Sequence, residues 1–261
     1  MPRTVSTRNA AFQQWQALLS NRTKRQRAGE FLVQGVRPIT LAVEHGWEIR
    51  TLLHAGRARS RWAEQLLGRY DHVELSEQLM RELGEKDELE LIAVVGLPPD
   101  RLDRIPQGQD TLVAVFDRPA SPGNIGTLIR SADAFGAHGV IITGHAADPY
   151  DPRSVRASTG SLFAIPVVRV PSHREVLDWV GDRARIVATD EHGDTELTDA
   201  DLTGPVVVLV GNETSGLSAA WRDAADQTVR IPIGGAPSSL NAAVAGTVVL
   251  YEAARQRRAA S

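Results

Sequence analysis

Val206-Val-Val-Leu-Val210 is an unbroken apolar run that stops at Gly211, and few secondary structures accommodate it. Such a run suits a parallel strand buried on both faces, with packed helices on either side of the pleat. In open α/β sheets, ligands gather beyond the carboxyl ends of strands. Gly211-Asn-Glu-Thr-Ser-Gly-Leu-Ser218 is therefore the first candidate site. Gly211 and Gly216 permit turns or close backbone approach, and Glu213 sets one carboxylate between them. The stretch Ile231-Pro-Ile-Gly-Gly-Ala-Pro-Ser-Ser-Leu-Asn241 follows and feeds an apolar helix expected over 239–255.

The remainder of the C-terminal half reads as alternating strands and helices. Strands are expected at 111–116, 139–143, 167–170 and 185–189, with helices from Asn124 and over 172–180. That alternation argues a mostly parallel sheet covered on both sides. In the helix, Asn124 is a good N-cap and Gly136 a stop. Ile125, Leu128, Ile129, Ala132 and Phe135 form its core face, leaving Arg130 on the other, near Thr127 and Ser131. The final helix is apolar nearly all round at its start, which calls for burial on more than one side. A protomer core and a dimer contact both explain it.

Ahead of this lies a smaller α/β unit. Its helical rhythm runs from Asn9 to Leu19, the run Asn21-Arg-Thr-Lys-Arg-Gln-Arg27 follows, and strands are expected at 31–35, 49–54, 72–75 and 89–95. Residues 98–110 have the Pro, Gly and polar make-up of an exposed connection, so the domains are set at 1–97 and 111–261.

Net charge is only −3, but its distribution is uneven. Up to Arg37 there are seven basic residues (Arg3, Arg8, Arg22, Lys24, Arg25, Arg27, Arg37) against Glu30 alone. A basic arm on an acidic body fits a phosphate-contacting footprint. A solvated helix end is the plainer reading.

Several chemistries drop out. Leu217 stands where a phosphate-binding loop needs its lysine, and no Gly-x-Gly-x-x-Gly opens a βαβ unit. The chain has no cysteine, which removes disulfides, thiolate metal sites and thiol nucleophiles. His192 beside Asp190, Glu191 and Asp194 lacks a second imidazole at ligand spacing, so no metal is expected. No apolar segment reaches the roughly 18 residues that span a bilayer, and Met-Pro-Arg-Thr opens no signal-peptide core. A cytoplasmic protein is expected.

Three segments now carry a resemblance. Asn124-Ile-Gly-Thr-Leu-Ile-Arg-Ser-Ala132 with Phe135-Gly136, then Val210-Gly-Asn-Glu-Thr-Ser-Gly-Leu217, then Ile231-Pro-Ile233 with Ser239-Leu-Asn241, resemble in order the three motifs of the SpoU/TrmH RNA ribose 2′-O-methyltransferases. The resemblance covers 111–255. The N-terminal unit is similar to the ribosomal-protein-like substrate-binding domain of the rRNA branch. Asn9-Ala-Ala-Phe-Gln-Gln-Trp15 and the segment from Tyr150 to Phe163 look closest to the avilamycin-resistance type, which modifies a uridine ribose in 23S rRNA.

The resemblance implies a C-terminal α/β domain tied in a trefoil knot (the SPOUT fold), a bent S-adenosylmethionine in the knotted loops, a homodimer, and resistance to a ribosome-targeting antibiotic. It assigns the donor to Thr189, Val210, Gly211, Asn212, Gly216, Ile231, Ile233, Ser239 and Leu240. Arg130 would orient the ribose hydroxyl through the adjacent phosphate and stabilise developing negative charge, with a base role left open. Asn124 and Asn241 would orient the ribose or Arg130, and Glu213, if buried near Arg130, would be its charge partner. Arg8, Arg22, Lys24, Arg25, Arg27, Arg37 and Arg156 become the expected rRNA contacts. Gln34 departs from the acidic residue many relatives carry before the glycine. Two alternatives stand beside this reading. A tRNA ribose methyltransferase is disfavoured by the N-terminal domain. A non-catalytic RNA-binding or ribosome-assembly protein need not keep Asn124, Arg130, Glu213, Ser239 and Asn241.

Overall fold

The computed structural model describes residues 3–56, 58, 60–84, 89–236 and 239–260. The chain divides into two units, Met1–Pro98 with Tyr150–Val155, and Pro99–Pro149 with Arg156–Ser261.

The first unit runs β1 (Arg3–Val5), α1 (Ala10–Ser20), α2 (Arg22–Ala28), β2 (Glu30–Gln34), α3 (Val36–Glu44), β3 (Ile49–Ala55), α4 (Arg61–Leu67), β4 (His72–Leu75), α5 (Glu77–Leu83) and β5 (Leu91–Gly96). Its sheet is mixed, in the order β1-β4-β3-β5-β2. Strands β1 and β3 pair parallel with β4, while β5 runs antiparallel to β3 and β2. Helix starts follow side-chain caps: Asn9, Ser60 and Ser76 accept the N–H groups of Phe12, Ala63 and Leu79. Helical spacing then turns Phe12, Trp15 and Leu18 onto the sheet, against Leu32, Leu53 and Val94. Each such buried side chain contributes about 1.5–3 kcal/mol.

Asn21 separates α1 from α2. Its N–H bonds the Ala17 carbonyl and its side chain accepts from Lys24 N–H, both at 3.0 Å. This turn brings Arg25 inward, and here the expected rRNA contact is corrected. Arg25 is 1% exposed. Its Nη1 donates to the Leu18 carbonyl at 2.7 Å, and Nη2 lies 3.7 Å from Asp151 Oδ2. The guanidinium satisfies carbonyls that the end of α1 leaves open, and a charge so buried must be paired.

The second unit contains β6 (Leu112–Asp117), α6 (Pro122–Ala134), β7 (Gly139–Thr143), α7 (Pro152–Ser158), α8 (Ser161–Ala164), β8 (Val167–Val170), α9 (His173–Val180), β9 (Arg185–Thr189), β10 (Thr195–Glu196), β11 (Val206–Val210), α10 (Ala219–Ala224), β12 (Gln227–Arg230) and α11 (Ala242–Ala260). The first residues of α7 group with the other unit. Seven strands, all parallel, lie in the order β10-β12-β9-β11-β6-β7-β8. Every residue of β6, β7 and β11 is buried, as unbroken apolar runs require. The chain leaves β6 toward β7 and β8, then returns on the other side through β9 and β11. That reversal marks where a doubly wound sheet opens a crevice.

The linker and the last helix differ from the sequence reading. The connection at 98–110 is not wholly exposed, because Ile105 is buried in the core with Val113, Val115 and Ile141. Helix α11 starts at Ala242, since Asn241 Oδ1 accepts from Ala243 N–H (3.0 Å) and Val244 N–H (3.3 Å) and so ends the loop. Ala243, Gly246, Val249, Leu250 and Ala253 form its buried face. A Cβ at Gly246 would lie 2.7 Å from Leu128 Cδ1 and 2.9 Å from Val210 Cγ2, so glycine lets α11 close on α6 and β11. The helix is not covered all round within the chain: Val244 is 44% and Tyr251 49% exposed.

Candidate active site

Helix α6 begins two residues before the expected Asn124. Ser121 Oγ accepts from Asn124 N–H (3.4 Å), and Pro122 fills the first turn, where its fixed φ suits a helix and its missing N–H costs nothing. Asn124 is thereby freed from capping. Its Nδ2 donates to Glu213 Oε1 at 2.9 Å, and its Oδ1 accepts from Asn241 Nδ2 at 3.2 Å. Three residues from three separate loops and helix starts are joined in one line.

Glu213 anchors that line. Besides Asn124 it accepts from Ala120 N–H (2.9 Å) and Ser121 N–H (3.1 Å), the free amides ahead of α6. A carboxylate at a helix N-terminus is favoured by these donors and by the helix dipole. Burial alone would raise its pKa. The bonds from Ala120, Asn124 and Ser121 outweigh burial and hold the carboxyl below its ordinary value. The partner of Glu213 is thus the start of α6, and the expected pairing with Arg130 is not present. Arg130 is exposed on the outer side of α6, beside half-buried Thr127 and exposed Ala134. Among the described residues no side-chain bond or ion pair engages it. Ser131, expected beside it, is buried and meets Thr247 at 2.7 Å.

The glycine loop after β11 closes on itself. Asn212 and Gly216 exchange two backbone bonds of 3.0 Å, with Gly216 at φ +63°. A Cβ at Gly211 would sit 2.6 Å from Gly216 C and from Leu217 N. Asn212 Oδ1 accepts from the N–H groups of Thr214 and Ser215, and its Nδ2 donates to the Arg118 carbonyl at 2.6 Å. Asn212 therefore spends its side chain on the loop.

Beyond the carboxyl ends of β9, β11 and β12 lies a cavity of about 360 Å³. Thr189, Val210, Gly211, Asn212, Gly216, Ile231, Ile233, Ser239 and Leu240 all line it. Pro237 and Ser238, in the same stretch, lie outside the described residues. Glu213 also lines it, whereas Asn124, Arg130 and Asn241 do not. Thr214 and Ser215, inside the candidate glycine loop, share the lining, as do Asp190, Glu191 and His192, for which the sequence suggests no site. No spacing rule exposes them, because they meet only when neighbouring parallel strands end together. Among the described residues no group of His, Asp and Glu is arranged to hold a metal.

Of the basic residues, Lys24, Arg27, Arg37 and Arg156 are exposed and Arg22 is half-buried. Arg8 is exposed but makes two bonds to Glu82, at 2.9 and 3.0 Å. Gln34 donates to the Leu83 carbonyl at 2.9 Å.

The profile of the SpoU rRNA Methylase family matches residues 111–251, and that of the SpoU L30e-like domain matches residues 9–93. The chain belongs to the SpoU rRNA methylase family. It is 60% identical over 98% of its length to a 23S rRNA (uridine(2479)-2′-O)-methyltransferase of Streptomyces viridochromogenes, covering 93% of that protein. The crystal structure of the SpoU methyltransferase AviRb from the same organism, in complex with the cofactor AdoMet, matches with a TM-score of 0.91 at 60% identity, over 96% of this chain and 99% of that one. An AdoMet-bound rRNA methyltransferase from Sinorhizobium meliloti matches at 0.87 and 30% identity, over 97% of each chain. The SpoU member described here has an L30e-like unit ahead of a parallel α/β methylase unit.

Proposed function

We propose that this protein transfers a methyl group from S-adenosylmethionine to a uridine ribose 2′-hydroxyl in 23S rRNA. It is an S-adenosylmethionine-dependent rRNA methyltransferase. The observation that carries the reading is the single cavity at the carboxyl ends of β9, β11 and β12, whose lining gathers all nine residues assigned to the donor. Its volume lies within the ~300–1,000 Å³ range of small-ligand sites. Val210, Ile231 and Leu240 supply apolar wall for an adenine, and the glycine loop brings backbone polar groups to the same edge. The donor fits this chemistry.

S-adenosylmethionine, when bound there, supplies an electrophilic methyl group on its sulfonium. The chain's own task is then to present the hydroxyl in line. Guanidinium groups stay charged in proteins, so Arg130 acts by gripping the neighbouring phosphate and stabilising negative charge as it develops on the ribose oxygen. Its lack of an internal partner among the described residues leaves it available for that. The Glu213–Asn124–Asn241 line holds the starts of α6 and α11 in register, so Asn124 and Asn241 position rather than react.

The protein works as a homodimer. Val244 and Tyr251, seven residues apart on one side of α11, are both exposed, and Arg130 lies outside the lining of its own chain's cavity. Covering the stripe with a second copy accounts for both. The packing of α11 against β11 and α6, beside the self-closed glycine loop, supports the trefoil knot. Lys24, Arg27, Arg37 and Arg156 are the rRNA contacts. No helix among the described residues is long and apolar enough to cross a membrane, consistent with work on ribosomal RNA in the cytoplasm. Methylation of a drug-binding region would give antibiotic resistance. Tritiated methyl transfer to 23S rRNA, mapped by reverse-transcription stops at low dNTP, tests the reading. Label at one uridine with the wild type, and about 10²–10³-fold slower labelling with Arg130→Ala, is expected. Absence of label with the wild type would overturn it.

A further inference from the structure

Among the described residues, Arg118 is one of two non-glycine residues with a positive φ, at +50°. L-residues seldom hold that conformation, and where they do the surroundings impose it. Here both its backbone and side chain are engaged. Its N–H donates to the Thr143 carbonyl at 3.0 Å, and its carbonyl accepts from Asn212 Nδ2 at 2.6 Å. Its guanidinium donates through Nη2 to the Gly216 carbonyl at 3.1 Å and through Nε to Asp117 Oδ2 at 3.1 Å. The same Asp117 oxygen accepts from Ser218 N–H at 2.9 Å. Gly144 makes room for this arm, since a Cβ there would lie 2.7 Å from Arg118 Cγ.

Arg118 therefore grips the glycine loop at both ends, through Asn212 on the way in and Gly216 on the way out. Ala120 and Ser121, just downstream, hold Glu213 in the middle of the same loop. We propose that Arg118 is a positioning residue that fixes the loop 211–216 in the shape that binds the methyl donor. This rests on the methyltransferase reading above and assigns a role to a residue outside its three motifs. At this positive φ the carbonyl meets Asn212 Nδ2 while the guanidinium reaches the Gly216 carbonyl.

The test is calorimetric titration of the full-length protein with S-adenosylhomocysteine, alongside thermal unfolding and steady-state kinetics. Losing a charge-assisted bond should weaken binding to Arg118→Ala about tenfold or more. The KM for the donor should rise in step, while the KM for rRNA and the rate at saturating donor stay near wild type. Arg118→Lys, which keeps one donor for Gly216, should recover part of the affinity. Arg118→Gly, which relieves the backbone but removes the arm, should bind as weakly as Arg118→Ala. Wild-type affinity in folded Arg118→Ala or Arg118→Gly would overturn the proposal. A wild type that binds no S-adenosylhomocysteine would instead overturn the methyltransferase reading.

Discussion

Replacing Gly211 by alanine adds one carbon, and the structure says where it must go. The new Cβ would meet Gly216 C and Leu217 N at 2.6 Å and Gly216 Cα at 2.9 Å. Comfortable carbon contacts lie near 3.5–4.0 Å, so the overlap is about 1 Å. All three neighbours are backbone atoms, which cannot rotate away as a side-chain end would. Overpacking of this kind costs about 1–3 kcal/mol. The opposing gain, a less flexible unfolded chain, is only about 0.4–1 kcal/mol, so the steric term wins and a net loss of about 1–2 kcal/mol is expected. At about 2–4 °C per kcal/mol for a domain of 150–250 residues, the methylase unit should melt roughly 2–8 °C lower. Because the displaced atoms wall the cavity, affinity for S-adenosylhomocysteine should fall as well. Gly68→Ala is the contrasting substitution. Gly68 has φ −74°, and its added Cβ meets the Glu64 carbonyl oxygen at an ordinary 3.4 Å, so it should be neutral or stabilising by about 0.4–1 kcal/mol. Calorimetric melting and titration of both variants decide the matter. A Gly211→Ala protein that melts at or above wild type and binds the ligand equally well would refute the steric argument.

Arg130→Ala should lower methyl transfer by about 10²–10³-fold with an unchanged melting temperature, since among the described residues its side chain makes no hydrogen bond or ion pair. Arg25→Ala should do the reverse, lowering stability by about 2 kcal/mol in denaturant titrations while the folded protein binds rRNA as before in filter assays. Glu213 is held below its ordinary pKa of 4.5 in the folded state. Its stabilisation is therefore complete above that value and is lost as pH falls through the lower folded value; Glu213→Gln should flatten that acid limb of a melting-versus-pH curve. Under the dimer proposed above, Val244→Glu with Tyr251→Glu should give a monomer in sedimentation experiments where the wild type sediments as a dimer, because two charges would enter the stripe that the second copy covers.

What the amino-acid order discloses is set by the range of the forces involved. Val206–Val210 declares a doubly buried strand by itself, and the capping oxygens of Asn9, Ser60 and Ser76 act within three residues; local readings of this sort survive folding. The start of α6 was misplaced although Ser121-Pro122 was in view, because Asn124 is an equally good cap on local grounds. What decides between them is Glu213, 89 residues away, which takes the Asn124 side chain for itself. Arg25 follows the same logic. Its neighbours in sequence make it one more positive charge in a basic run, and only the turn at Asn21 shows that it faces the carbonyls of α1. Charge counts cannot distinguish a solvated arginine from one that closes a helix end. Most residues that line the cavity stand in motifs on adjoining strands, whereas Asp190 to His192 and the grip of Arg118 leave no local mark in the sequence. The wall is made at the ends of strands whose order, β12 beside β9 and β9 beside β11, differs from their order in the chain. The candidate site is thus held together by contacts between segments 90 or more residues apart, such as Arg118 with Gly216 and Asn124 with Asn241. Substitutions at those contacts should change donor binding more than local helix propensity does.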